Sequence, residues 1–371
     1  MKIAGPGTLL PQHVRELEHC TFCPKLCRAT CPVSNEASSE TLTPWGKMSL
    51  AHFVHRGDVP ADLEHLALVW ACTGCLACRE RCDHRVAVAD VLLAARTAAW
   101  KRGIVPVGAR RVSERFPELS QALREALAGW PDEAAGASAT TLLVGCSAAR
   151  HVREEATAAI ELARWLGLGP LRLVRACCGL PLRLAGDAVG FAAAARALAR
   201  ELGDARRIVV LDPGCARTLR EDFPALGLKL PPVALLVDEL AAELDRLPRR
   251  PWAGASARLH EACQLVRAPG ASEVSWRVAE RLFGEGLQHA VRAGRQAECC
   301  GAGGLLPITY PTISRAIADA RIAEHRAQGG GTLIASCPST VRRLRSRGEP
   351  AQGLCSLAWR AVSGVPPVDH G

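Results

Sequence analysis

Through the first hundred residues apolar positions recur at helical intervals, and only beyond residue 140 do short apolar runs break that rhythm. In "PVSNEASSETLTPWGKMSLAHFVHRGDVPADLEHLALVWA", residues 32–71, Ser and Thr stand where helices begin. The apolar residues there keep helical spacing and do not alternate as in a strand. "VAVADVLLAARTAAWKRG" and "RRVSERFPELSQALREALAGW" also predict helices. Further on, "TTLLVGCSAAR" predicts a short strand ending at Cys146, and "HVREEATAAIELARWLGLG" a helix after it. "RIVVLDPGCARTLRED" predicts a strand broken at Pro213-Gly214, just before Cys215. "ARLHEACQLVR" and "TLIASCPSTVRRL" predict strands ending near Cys263 and at Cys337. Strand–turn–helix crossovers set the ends of parallel strands along one edge, where ligands gather.

Small-residue stretches punctuate this pattern. "PDEAAGASATT", residues 131–141, reads as a linker, "LPRRPWAGAS", 247–256, as a second boundary, and "GVPPVDHG" as a loose tail. The net charge of +9 would suit an acidic partner, but the arginines are interleaved with acidic residues, as in "ARALARELGDARR". They read as solvated helix faces, and no nucleic-acid module accompanies them. No stretch reaches the roughly 20 apolar residues of a membrane span, and "MKIAGPGTLLPQ" lacks the apolar core of a signal peptide. The expectation is a cytoplasmic chain without a transmembrane segment, associated with the inner face of a membrane only through partners.

In a reducing compartment, 17 cysteines are metal ligands before they are disulfides. Cys20-x2-Cys23-x3-Cys27-x3-Cys31-Pro32 forms one run and Cys72-x2-Cys75-x2-Cys78-x3-Cys82 another. The second has the spacing of bacterial ferredoxins, with Asp83 in place of the usual proline; the first keeps the proline but has one extra residue. Such gaps let three thiolates wrap one cluster while the fourth cysteine reaches the other. One [4Fe-4S] cluster is therefore expected on Cys20, Cys23, Cys27 and Cys82, a second on Cys72, Cys75, Cys78 and Cys31. Zinc, which favours two separated C-x2-C pairs, fits these runs less well.

The later cysteines repeat. Cys177, Cys178 and Cys215 lie 122 residues before Cys299, Cys300 and Cys337, and Cys146 lies 117 before Cys263. Two matching sets favour a ligand role over buried structural thiols. "GAGG" at 301–304 follows a cysteine pair, not a strand, and so predicts a turn beside a cluster; no flavin or nicotinamide site is expected on this chain. Cys355 has no counterpart and reads as a lone thiol, and His84 as a neighbour of the second run or a surface residue.

Over nearly its whole length the chain resembles the iron–sulfur oxidoreductase family with duplicated cysteine-rich CCG domains. That family includes iron–sulfur subunits of glycolate oxidase, of the anaerobic glycerol-3-phosphate dehydrogenase and of heterodisulfide reductase. The resemblance implies a multidomain chain: a helical 2[4Fe-4S] ferredoxin-like domain (1–103), a helical linker (104–140), and two α/β CCG domains (141–250 and 251–365). It implies one further cluster, cubane or non-cubane, in each CCG domain, with zinc as the alternative in one. Family repeats read C…CC…CxxC; here "DPGC" has Asp212 in place of the first cysteine of the pair, and "CPST" has Thr340 in place of the second. The plain 122-residue offset instead equates Cys215 with Cys337, and both alignments stay open at this point. Each repeat then offers four thiolates, and Asp212 could complete a fifth position. The implied role is electron relay from a flavin dehydrogenase partner to a quinone or a thiol/disulfide acceptor. One alternative is disulfide reduction at a CCG-bound cluster with His260 as proton donor, and another is a structural zinc site in the repeats.

Overall fold

The computed structural model describes residues 9–130, 132–133, 140–252, 255–268 and 273–364. Most of the expected linker, part of the 247–256 boundary and nearly all of the tail lie outside them. Two compact units emerge: residues 1–116, 181–191 and 298–320 form one, and residues 117–180, 192–297 and 321–371 the other.

In the first unit the regular elements among the described residues of its opening segment are helices, chiefly Val14–Thr21, Pro44–Arg56 and Val88–Lys101. Pro44–Arg56 starts where a chain should start a helix: the Thr43 hydroxyl accepts from Gly46 N–H, and Pro44 occupies the first turn. It ends on Gly57 at φ +81°, whose N–H returns to the carbonyls of Phe53 and Val54. This helix packs on Val14–Thr21, and their apolar faces bury Leu17, Met48, Ala51 and Val54 with Leu92 and Ala95 of Val88–Lys101.

Arg96 explains why two distant segments join this unit. Buried to 3% exposure, its guanidinium donates to the carbonyls of Val69 (3.0 Å), Cys72 (3.0 Å), Leu184 (3.0 Å) and Gly304 (2.9 Å). Trp70 Nε1 donates to Ala185 O at 3.2 Å and the Tyr310 hydroxyl to Ala67 O at 3.1 Å, adding to the same joint.

The second unit holds two sheets, each four-stranded and fully parallel. β1 (Thr140–Leu143), β2 (Leu171–Leu173), β3 (Arg207–Val210) and β4 (Val233–Leu235) lie in the order β2-β1-β3-β4. β5 (Ala257–His260), β6 (Leu287–Gln288), β7 (Thr332–Ala335) and β8 (Gln352–Gly353) repeat it as β6-β5-β7-β8. β1 is buried throughout, as expected of a parallel strand covered on both faces. Helix Arg153–Trp165 packs against helix Leu354–Ser363, joining the layers that cover the two sheets. In each sheet the strand order reverses between the two central strands, β1 and β3 or β5 and β7, and the crevice beyond their carboxyl ends is where such sheets bind ligands.

Candidate cysteine-ligated centres

Within the first unit the turns after Val14–Thr21 and before Val88–Lys101 carry eight thiols. Cys20 closes its helix, Cys31 caps helix Pro32–Ala37, and Cys78 sits in helix Ala77–Glu80 behind Leu76, whose φ of +60° turns the chain. Burial pushes the Cys20 thiol up to about 12, and the neighbouring Cys23, Cys27 and Cys82 push it the same way. Burial also raises Cys27, to about 11, again with Cys23 and Cys82 as neighbours. Cys78 is raised well above the ordinary thiol by burial, then by Cys75, Cys72 and Cys31. Cys20 thus has Cys23, Cys27 and Cys82 as thiol neighbours, Cys78 has Cys75, Cys72, Cys31 and Cys27, and Cys27 also neighbours Cys31. Backbone amides point at the sulfurs: Lys25 N–H lies 3.3 Å from Cys23 Sγ, and Gly74 N–H 3.4 Å from Cys72 Sγ.

Four thiolates so placed repel one another and have lost solvent, so only a bound cation makes their ionised forms favourable. Sulfur donors with amide hydrogen bonds are the surroundings of iron–sulfur clusters. The residues therefore fit that group.

In the first sheet of the second unit, thiols gather from three strand ends. Cys146 opens a helix after β1, Cys177 and Cys178 lie in the turn after β2, and Cys215 lies in helix Pro213–Arg217 after β3. Cys178 Sγ is 3.3 Å from Cys215 Sγ, and Cys146 and Cys178 both hydrogen-bond Cys177. Gly145, at φ +84°, admits this approach: a Cβ there would stand 3.2 Å from Asp212 Cβ and 3.4 Å from Cys215 Sγ. Asp212 caps the Cys215 helix, Oδ1 accepting from Gly214 N–H (2.8 Å) and Cys215 N–H (3.2 Å), and burial raises its carboxyl.

In the second sheet Cys263 opens helix Cys263–Val266 after β5, and Cys337 caps helix Pro338–Arg345 after β7. Cys299 and Cys300 belong to the first unit, where Gly301 N–H donates to Cys299 Sγ at 3.3 Å. Gly303 and Gly304 press on Thr73 and Cys72: a Cβ on Gly304 would come within 1.9 Å of Cys72 O. The "GAGG" stretch is therefore a turn fitted closely to ligand-bearing backbone.

Strand pairing decides between the two alignments of the repeats. Thr140 pairs with Arg207 and Ala257 with Thr332, so the third strands differ by 125 positions, and the helices after them both begin with a capping residue followed by proline. Asp212 thus corresponds to Cys337, and Cys215 to Thr340, which is buried. Each repeat lacks a different member of its pair.

His260 is half-buried at the end of β5, and His84 is exposed, stacked on His19 with ring centroids 4.5 Å apart. Cys355 is buried, beside Glu155. Sequence reasoning missed two buried cations near the second thiol group, Lys47 and Arg96; the signal for Lys47 was its rarity in a chain whose bases are nearly all arginine.

Comparison with known proteins bears directly on these groups. Residues 16–86 match the 4Fe-4S dicluster domain, and residues 140–220 and 257–341 each match the cysteine-rich domain known as CCG. The chain is 25% identical over 308 residues to a dihydromethanophenazine:CoB–CoM heterodisulfide reductase subunit of Methanosarcina barkeri, covering 77% of this chain and 74% of that one. It is 23% identical to a fumarate reductase (CoM/CoB) subunit of Methanothermobacter marburgensis, covering 88% of this chain and 67% of that one. It is 27% identical to lactate utilization protein A of Shouchella clausii, covering 43% of this chain and 69% of that one. A dicluster domain followed by two parallel-sheet cysteine-rich domains defines an iron–sulfur protein of oxidoreductase and electron-transport type. The chain belongs to the CCG-domain iron–sulfur proteins. Among its described residues no helix is long and apolar enough to cross a membrane.

Proposed function

We propose that this chain is the electron-relay subunit of an oxidoreductase complex. It would take electrons from a flavin dehydrogenase partner that oxidises a small 2-hydroxy acid of the glycolate or lactate kind, or glycerol 3-phosphate. It would deliver them to a quinone or another carrier. The observation that supports this reading is that thiols of the two cysteine runs neighbour one another in the first unit, Cys82 beside Cys20 and Cys31 beside Cys78. Two adjacent sulfur-lined centres suit a one-electron path, and bound clusters supply that chemistry.

The chain's own part is to hold the donors. Cys20, Cys23, Cys27 and Cys82 take one [4Fe-4S] cluster, and Cys31, Cys72, Cys75 and Cys78 the other. Cys146, Cys177, Cys178 and Cys215, with a carboxylate oxygen of Asp212 as a fifth donor, take a third group. Cys263 and Cys337, at the strand ends of the second sheet, are the corresponding donors there. The shared strand order and the 125-residue correspondence support duplication of one α/β unit. Catalysis at the organic substrate belongs to the partner.

Metal analysis of anaerobically purified chain tests the reading. Four cubanes give about sixteen iron per chain, whereas about eight iron with zinc assigns the repeats a structural role. Co-purification with a flavoprotein that reduces the bound clusters on adding a 2-hydroxy acid or glycerol 3-phosphate supports the relay. Turnover of a disulfide by the chain alone overturns it.

A further inference from the structure

The two thiol groups of the first unit differ in the charges set around them. Lys47, on helix Pro44–Arg56, is 2% exposed, and its ammonium lies 2.7 Å from Ala71 O and 3.9 Å from Cys31 Sγ. Arg96, likewise buried, donates to Cys72 O at 3.0 Å. Two buried cations therefore face the group of Cys31, Cys72, Cys75 and Cys78. At Cys72 burial raises the thiol, and Lys47 and then Arg96 oppose it. Glu80, between Cys78 and Cys82, is matched by Arg79 and Arg85 at 3.0 Å each and adds no net negative charge. Near the other group stands a carboxylate: Glu16, one turn before Cys20 and 3.8 Å from His13 Nδ1, adds to the rise of that thiol after burial and its three cysteine neighbours.

A cluster that accepts an electron becomes one unit more negative, so a buried cation favours its reduced form and a nearby anion its oxidised form. Each group receives a backbone amide on sulfur, and at the second a buried ammonium stands 3.9 Å from a thiol as well. We infer that Lys47, reinforced by Arg96, gives the cluster on Cys31, Cys72, Cys75 and Cys78 the higher reduction potential of the pair, making it the electron sink of the first unit. This rests on the iron–sulfur reading above. The exchange it would bias is of one electron, passing from the cluster that Cys20, Cys23, Cys27 and Cys82 would hold to the one that Cys31, Cys72, Cys75 and Cys78 would hold. The partner's reduced flavin would supply the electron. Lys47 is a positioning residue that acts through charge.

The test is a redox titration of the full-length protein, reconstituted anaerobically and followed by electron paramagnetic resonance. Lys47→Met keeps the length of the side chain and removes its charge. It should lower the upper of the two midpoints by at least about tenfold in the reduced-to-oxidised ratio, about 59 mV for one electron, and leave the lower one in place. Lys47→Arg should restore the upper midpoint. Glu16→Gln, at a half-exposed position where assembly is undisturbed, should raise the lower midpoint by a smaller step and leave the upper one unmoved. Unchanged midpoints in an iron-replete Lys47→Met protein overturn the inference. If Lys47→Met fails to assemble, a Glu16→Gln protein whose lower midpoint stays put overturns it. A wild-type chain that folds without iron overturns both the inference and the reading beneath it, whereas two clusters with insensitive potentials overturn the inference alone.

Discussion

Glu155 is a carboxyl group 1% exposed, in the packed layer between helices Arg153–Trp165 and Leu354–Ser363. It accepts from Ser356 N–H at 2.7 Å at the head of the second helix, and a Cβ on Gly353 would overlap it at 1.9 Å. Burial raises it to about 7; the Ser356 hydrogen bonds oppose that, Glu154 adds to it, and Arg345, itself paired with Glu154, opposes it weakly. Because the folded value lies above the unfolded one, the protonated form is the one folding favours. Its contribution is complete below about pH 4.5 and is lost as the pH climbs through 7. The loss is on the order of 3 kcal/mol across that window. Glu155→Gln, whose amide oxygen keeps the Ser356 bond, should melt above wild type at pH 8 by several degrees and close to it at pH 5. Parallel melting curves at both pH values would show that burial does not hold the proton on this group.

The strands that positioned the cysteines were legible for a physical reason. The runs before Cys146, Cys215, Cys263 and Cys337 became β1, β3, β5 and β7, the central strands, which are flanked on both sides and so are largely buried. The edge strands β2, β4, β6 and β8 are two or three residues long and carry no run to read. Pairing also aligns what the cysteine offsets left open, because Asp212 and Cys337 stand at the heads of equivalent helices, each followed by proline, although the two residues themselves differ. The turn from β1 into the Cys146 helix depends on Gly145 at φ +84° and ψ 153°, a region open to glycine alone. Gly145→Ala should cost about 1–3 kcal/mol and drive a methyl group toward Cys215 Sγ. Iron on the first sheet's cysteines should be lost, while both clusters of the first unit stay spectroscopically intact. Retention of full iron content would mean that this turn does not shape the thiol set.

At the scale of the molecule, the hardest feature to read from sequence is that residues 181–191 and 298–320 fold with the first hundred. The contacts that hold them there end on main-chain carbonyls of Leu184, Ala185 and Gly304, and a carbonyl is the same whatever residue bears it. The side-chain donors, Arg96, Trp70 and Tyr310, and the closely fitted glycines of "GAGG" leave a trace in the composition. Arg96 is the test of this joint. Arg96→Met preserves an apolar stem and strips four carbonyls of their donor, each costing about 1–3 kcal/mol when buried and unpaired. Lysine, a compact ammonium, cannot reproduce the planar fork and should rescue little. The expected outcome is faster tryptic cleavage after Arg183 and loss of the cluster on Cys31, Cys72, Cys75 and Cys78, because Cys72 is one of the carbonyls released. Since β1–β4 are paired among themselves, peptides from the first sheet should stay protected. Mass spectrometry of timed digests reads both at once. Equal cleavage rates at Arg183 in wild type and variant would place the strength of the joint in its apolar contacts instead, around Ala185 and Leu305.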